Sequence, residues 1–345
     1  MDSGKIHLLL PGLFWLTGIQ KLEQEGLKLN KLSKVLSRAK LKSSHCNSLY
    51  EQVFRLFGVE REPGKDLPIA AVSLIGQNQK VDGNTCWGCA TPVHFLVDRD
   101  RLILLKPDPG SKHPQIKEEL DYFASSFNEH FVSEAIELHV TTHHEWYVQL
   151  RDCPNLETFD ILQVTGRHIE EFLPHGVEGK KFRSMLNEIQ MLFFKNNSDK
   201  NRNETIYDIN GIWLSGFGKT PAVSTDYTKI YADNDVVKGL AKLSGIDCKK
   251  TPFELTDMVT DKGNLLVLMT DLLNCELVGD VDCWMRQISV LEDKLTTLLK
   301  SSELDKEREI VIDPCDDKLF MVTPRTYALS FYKPNKRFRA FLSGH

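Results

Sequence analysis

The chain has 345 residues, of which 41% are hydrophobic and 26% charged, with a formal net charge of −5. That composition can bury a real core and excludes a mostly disordered chain. The acidic balance, with a pI near 6.1, excludes a globally basic nucleic-acid binder. At about 150 residues per domain the length suits two domains, or one large α/β domain carrying an insert.

Residues 5–10 read as a short buried strand. The apolar stretch from Ile6 to Ile19 is broken by Pro11 and Gly12, so it is too short to span a bilayer. Asp2 offsets Lys5 and no small-x-small cleavage pattern follows, so a strand and turn are expected in place of a secretory leader. Leu29, Leu32, Leu36 and Ala39 then recur at helical spacing among Lys28, Lys31, Lys34, Arg38, Lys40 and Lys42. This basic helix over 28–42 is expected to press its leucines onto the core and solvate its lysines. Its charge also leaves it open to a protein partner or an anionic surface. A second helix is expected over 49–57, ended by Gly58.

From residue 67 the pattern turns to strands. The run 69–75 is apolar, and 93–97 with 102–105 suit a hairpin around Asp98-Arg99-Asp100. A helix over 115–131 puts Ile116, Leu120, Phe123, Phe127 and Phe131 on one face. Strands at 136–140 and 146–150 flank His143-His144, and helices are expected at 165–172 and 180–194. A polar loop, 195–208, holds Arg202. Beyond it a strand at 211–215 runs into the turn Gly216-Phe217-Gly218. A strand at 230–232, a helix at 235–244, a strand at 264–270, a helix capped by Asp280 and a strand at 309–313 follow. Strand-helix alternation at both ends argues for an α/β core from 1–66 and 196–345. Its mostly parallel sheet is expected to hold 5–10, 211–215, 264–270 and 309–313. Residues 67–195 are expected to form an inserted α+β subdomain.

The eight cysteines, at 46, 86, 89, 153, 248, 275, 283 and 315, are too sparse for a disulfide scaffold. Reduced thiols and a cytoplasmic location are expected. Cys86-Trp87-Gly88-Cys89 is a CxxC, but no second pair exists, so a zinc site is not expected. Gly216 and Gly218 suit a fragment of a phosphate loop or, equally, a tight turn. Amides plus one arginine suit a phosphate or carboxylate. Asn187, Arg202 and Asn210, with Ser215, Gly216 and Gly218 at the strand end, are therefore the candidate ligand-binding residues.

Pro11-Gly12-Leu13-Phe14-Trp15, Pro92-Val93-His94, Asn187 to Leu192 and Ile209 to Gly218 resemble the bacterial RpfE-type regulatory proteins. That family is in turn similar to the cofactor-independent phosphoglycerate mutases of the alkaline phosphatase superfamily. The resemblance implies an alkaline-phosphatase-like α/β core with an inserted subdomain. Mutases of that superfamily hold two divalent metals, Mn, Mg or Zn, with Asp and His at strand ends, and a Ser or Thr attacks the phosphate. Here the first strand runs into Pro11-Gly12, where an Asp ligand would be expected. Asp271 and Asp313 end later strands, and only Ser43 or Ser44, beside His45, could stand as nucleophile. Two carboxylates without histidines make a poor dinuclear centre. The implied function is a non-catalytic binding or regulatory protein for a small anionic or phosphorylated ligand, with a degraded metal site and no cofactor. The alternative is a metal-dependent phosphotransferase or phosphatase using Asp271, Asp313 and Ser43 or Ser44.

Overall fold

The computed structural model describes residues 4–99, 101–106, 116–141, 145–198, 209–329 and 334–342. Arg202 and the His143-His144 pair lie outside the described residues. In chain order the described strands are β1 (Lys5–Leu9), β2 (Lys40–Ser43), β3 (Cys86–Asp98), β4 (Arg101–Leu105), β5 (Ile136–Val140), β6 (Trp146–Leu150), β7 (Gly211–Gly218), β8 (Lys229–Tyr231), β9 (Cys248–Lys249), β10 (Leu265–Leu268), β11 (Glu309–Asp313) and β12 (Lys318–Val322). The chain divides into two compact units, Met1–Gly58 with Val223–His345, and Val59–Ala222.

The first unit is an α/β layer structure around one sheet, in the order β2-β12-β11-β1-β10-β8-β9. β1 runs parallel to both β10 and β11, and β8 runs parallel to β10 and β9. Only β12 runs the other way, pairing antiparallel with β11 on one side and with the edge strand β2 on the other. Strand alternation divides the side chains between two faces. Ile6, Leu8, Ile310 and Ile312 point to the face packed by the helices Leu16–Gln24, Asn30–Arg38 and Val281–Lys300, through Ile19, Leu32, Val35, Trp284, Ile288 and Leu295. His7, Val311 and Asp313 point to the other face, where the helix Leu49–Leu56 brings Gln52. Asp280 caps the helix Val281–Lys300 as expected, accepting from Cys283 N at 2.8 Å. The leucine stripe of the basic helix faces the core as expected, but the helix is Asn30–Arg38 and not 28–42: residues 40–43 pair with β12 as the exposed edge strand β2, which takes Lys40 and Lys42 off the helix. Its cations are partly engaged: Lys31 pairs with Asp293, and Arg38 is buried and donates to Tyr327 O.

The second unit is an α+β insert. Its antiparallel sheet runs β4-β3-β6-β5, with β7 also paired to β3. The structure therefore moves 211–215 out of the core sheet and extends the insert to 59–222. Every residue of β7 from Gly211 to Phe217 is buried. Ile212 and Leu214 enter one core cluster and Trp213 another. A strand buried on both faces has the unbroken apolar pattern of a central parallel strand, so its sequence does not reveal which sheet it joins. Residues 69–75 are a further correction, forming the helix Ile69–Gly76. It is buried nearly all round, so it lacks the polar face that would mark a helical period. The helix expected at 165–172 is two short turns, Ile161–Val164 and Ile169–Phe172.

Four cysteines also depart from expectation. Cys86 is joined to Cys153 and Cys275 to Cys283, while Cys46, Cys89, Cys248 and Cys315 are free. The CxxC is thus not a pair; its first thiol reaches a partner 67 residues away. No described helix is long and apolar enough to cross a membrane.

Gly216 sits at φ +67 inside β7, and an added Cβ would come within 2.8 Å of Ile69 Cβ. Gly216→Ala meets both strain and overlap and should destabilise the protein by about 1–3 kcal/mol, read as a lower urea midpoint at an unchanged m-value.

Candidate functional site

Parallel sheets present ligand sites outside the C-terminal ends of their strands. In the first unit those ends are the turn after β1, Asp271 beyond β10, and Asp313 closing β11. At the middle of this edge lies a chain of buried polar groups. Asp313 is fully buried. Its Oδ2 accepts from His7 Nε2 at 2.9 Å and from the Gln52 amide, and its Oδ1 accepts from Cys315 N at 2.8 Å. His7 Nδ1 meets the Tyr227 hydroxyl at 2.6 Å. Burial pushes the Tyr227 phenol well up, so it stays protonated. Gln52, itself fully buried, accepts from Arg55 Nη2 at 2.8 Å through Oε1. Arg55 is half-buried and its guanidinium also lies against the Cys46 thiol.

The loops around this chain are tightly tied. The Ser44 hydroxyl is buried, donates to Asp316 O and accepts from Cys46 N at 3.2 Å. It holds the Ser44-His45-Cys46 turn against the Asp313-Pro314-Cys315-Asp316 turn and is not presented to a substrate. Ser43 is exposed on the edge strand, its Oγ 3.4 Å from His45 Nδ1. Burial is the main cause that raises the Asp316 carboxyl to about 6, opposed by its bond from Lys318 N.

Asp271 does not join Asp313. It is exposed in the first turn of the helix Asp271–Leu277, and lines a small pocket with Leu10, Met269, Gln287, Val290 and Lys294. Four of that pocket's residues, Gln287, Val290, Leu291 and Lys294, come from the helix Val281–Lys300, on the face of the sheet away from His7 and Asp313. β1 also separates the two strands, so their ends lie roughly 10 Å apart. The position where the resemblance implies an Asp is closed to any side chain. Gly12 has φ +81, its Cβ would stand 2.7 Å from Leu273 N, and its carbonyl accepts from Trp284 Nε1 at 2.8 Å. Among the described residues no group of three His, Cys, Asp or Glu could hold a metal ion. The donor set does not fit a dinuclear centre, because its one buried carboxyl already has a donor on each oxygen.

The other candidate ligand residues belong to the insert. Asn187 is exposed on the helix Gly179–Ser198. Asn210 pairs its side chain with the Phe95 backbone, accepting from N at 2.7 Å and donating to O at 3.0 Å, and so prolongs the β3–β7 ladder. Ser215 is buried within β7. Gly216 and Gly218 form an irregularity in that ladder and no phosphate loop. Gly216 N donates to Thr158 Oγ1 at 3.2 Å and Phe217 N to Asp66 Oδ2 at 3.1 Å. An added Cβ on Gly218 would lie 2.5 Å from Pro68 Cβ.

No protein-family model matches the chain, and no curated protein matches it. Solved structures are similar to it. The PH0037 protein from Pyrococcus horikoshii shares 12% identity at a TM-score of 0.49, over 93% of this chain and 87% of that one. A cofactor-independent phosphoglycerate mutase from Thermoplasma acidophilum DSM 1728 shares 13% at 0.38, over 93% of this chain and 90% of that one. At such values neither likeness assigns a role to any residue. The RpfE-type family expected from the sequence receives no support from them.

The residues that sequence reasoning missed are His7, Gln52, Arg55 and Tyr227. A histidine in mid-strand, flanked by Ile6 and Leu8, was the one available signal.

Two measurements check this geometry. Asp313→Ala leaves His7 and Gln52 buried without their acceptor and should cost about 3–5 kcal/mol of unfolding free energy in urea. Asp316 binds its proton more tightly folded than unfolded, so its contribution is fully present below pH 3.8 and is lost as pH rises through about 6. Asp316→Asn should therefore gain stability relative to the parent across that window, measured as urea midpoints at pH 4 and 7.

Proposed function

We propose that the chain is a non-catalytic binding or regulatory protein with a phosphoglycerate-mutase-like α/β core, which holds a small anionic or phosphorylated ligand at the C-terminal edge of its core sheet. The observation that carries this reading is Asp313. A catalytic metal ligand needs a free lone pair facing a cleft, whereas this carboxyl is wholly buried and accepts from His7, Gln52 and Cys315 N. Ser44 is likewise buried and bonded. The half-buried Arg55 guanidinium, hydrogen-bonded to Gln52 beside that strand end, supplies the positive charge an anion needs. Arg202 is a second candidate cation and Asn187 a candidate amide, both in the insert and not part of that strand edge.

The test has two arms. Calorimetric titration with inorganic phosphate and with phosphoglycerate should show binding that Arg55→Ala weakens about tenfold to a hundredfold, the value of one charge-assisted hydrogen bond. Arg202→Ala reads the second candidate in the same titration. Phosphoglycerate and aryl phosphates, incubated with Mn, Mg or Zn, should not be turned over. Metal-dependent turnover that disappears in Asp271→Ala would establish the phosphotransferase or phosphatase in its place.

A further inference from the structure

The basic segment 28–42 ends in a strand whose outer side is open. β2 closes the core sheet, with β12 on one flank and, among the described residues, no strand on the other. All four of its residues are exposed, Leu41 at 56%. Ser44 N donates to Asp317 O at 2.8 Å, and in the same register Lys42 stands opposite Leu319 and Lys40 opposite Met321. Backbone groups alternate between the two sides of a strand. Lys40 and Lys42 therefore bond β12, while the N–H and C=O groups of Leu41 and Ser43 turn outward. Among the described residues nothing pairs with those four outward groups. The side chains alternate as well. Leu41 lies opposite Phe320 and shares its face, that of the apolar core, whereas Lys40 and Lys42 lie on the other face with Met321 and Leu319. Lys31, back on the helix, is paired with Asp293, but among the described residues no carboxylate pairs with Lys40 or Lys42.

Charge selects the occupant. An open edge accepts an extended segment through its outward backbone groups, and the side chains beside them decide which segment. A second copy of β2, laid antiparallel and centred on Leu41, would set lysine against lysine across the new ladder. A wholly apolar strand meets the usual defence of an edge, lysines that it cannot neutralise. A strand that runs acid, apolar, acid sets a carboxylate opposite each lysine and an apolar group beside Leu41. That pattern reads the same in either direction, so it fits a parallel or an antiparallel addition. We infer that β2 is a docking edge for an extended acidic segment of a partner protein, in which two carboxylates flank one apolar residue.

The probe is the capped peptide Thr-Thr-Glu-Val-Glu-Thr-Thr, titrated into the isotopically labelled full chain and followed by amide shifts and hydrogen exchange. Binding should saturate and should slow exchange at the Leu41 and Ser43 amides, which face outward. The Lys40 and Lys42 amides, already bonded to β12, should change little. Charge reversal at both lysines, Lys40→Glu with Lys42→Glu, should weaken the peptide about tenfold. The same double variant should bind the peptide in which Lys-Val-Lys replaces Glu-Val-Glu, which the parent should not. Both positions are exposed, so the double variant should keep the parent's urea midpoint. Absence of saturable binding by the acidic peptide overturns the proposal, as does binding that the double variant leaves unchanged. Binding without slower exchange at Leu41 and Ser43 overturns it too, because that is charge attraction with no added strand. Arg55→Ala should leave peptide binding intact, so failure here is separable from failure of the anion site.

Discussion

A carboxylate taken out of water costs several kcal/mol unless donors replace its lost hydration. Asp313 is fully buried at the end of a central parallel strand, and the arrangement of the first unit follows from meeting that requirement. The donors come from His7 on the neighbouring strand, Gln52 on a helix laid over the sheet, and the backbone of the turn after Asp313 itself. Tyr227 then fixes the far side of the imidazole and Arg55 the far side of the amide. Segments separated by some 300 positions are thus locked in one register. Removing any one donor leaves the others imperfectly met in a medium of low dielectric.

The same network decides what the strand edge can do chemically. With each Asp313 oxygen engaged, and Asp271 on the opposite face, the two carboxyls cannot converge on a cation. Gly12 reinforces this, because the turn after β1 is pressed against the helix Asp271–Leu277 and tied to Trp284. A side chain there, acidic or otherwise, would displace backbone. What stays available is positive charge on Arg55 and a set of amides and backbone groups, which suits holding an anion more than activating a nucleophile.

Much of this was legible in the sequence. Short apolar runs at 5–10, 264–270 and 309–313 marked the parallel strands, and Asp280 ahead of Trp284 and Ile288 marked the long helix and its cap. The errors fell where burial erases periodicity. The helix Ile69–Gly76 is apolar on almost every side, and β7 is buried on both faces, so neither pattern carries a direction. Gly216-Phe217-Gly218 is a ladder irregularity clasped by Asp66 and Thr158, a contact spanning about 150 residues that no local motif encodes. The site was half legible. Asp313 stood out as a strand-end acid, but its partners are single residues scattered over the chain. Only the sheet order β11-β1-β10 makes neighbours of His7 and Asp313.

The central claim is that Asp313 is an internal hydrogen-bond acceptor and not a metal ligand. Crystals grown in millimolar Mn, with anomalous data collected at the manganese edge, test it most directly. The expected result is no anomalous peak within coordination distance of Asp313, with His7 Nε2 still hydrogen-bonded to Oδ2. A peak about 2.1 Å from an Asp313 oxygen, with His7 or Gln52 swung away, would contradict the account.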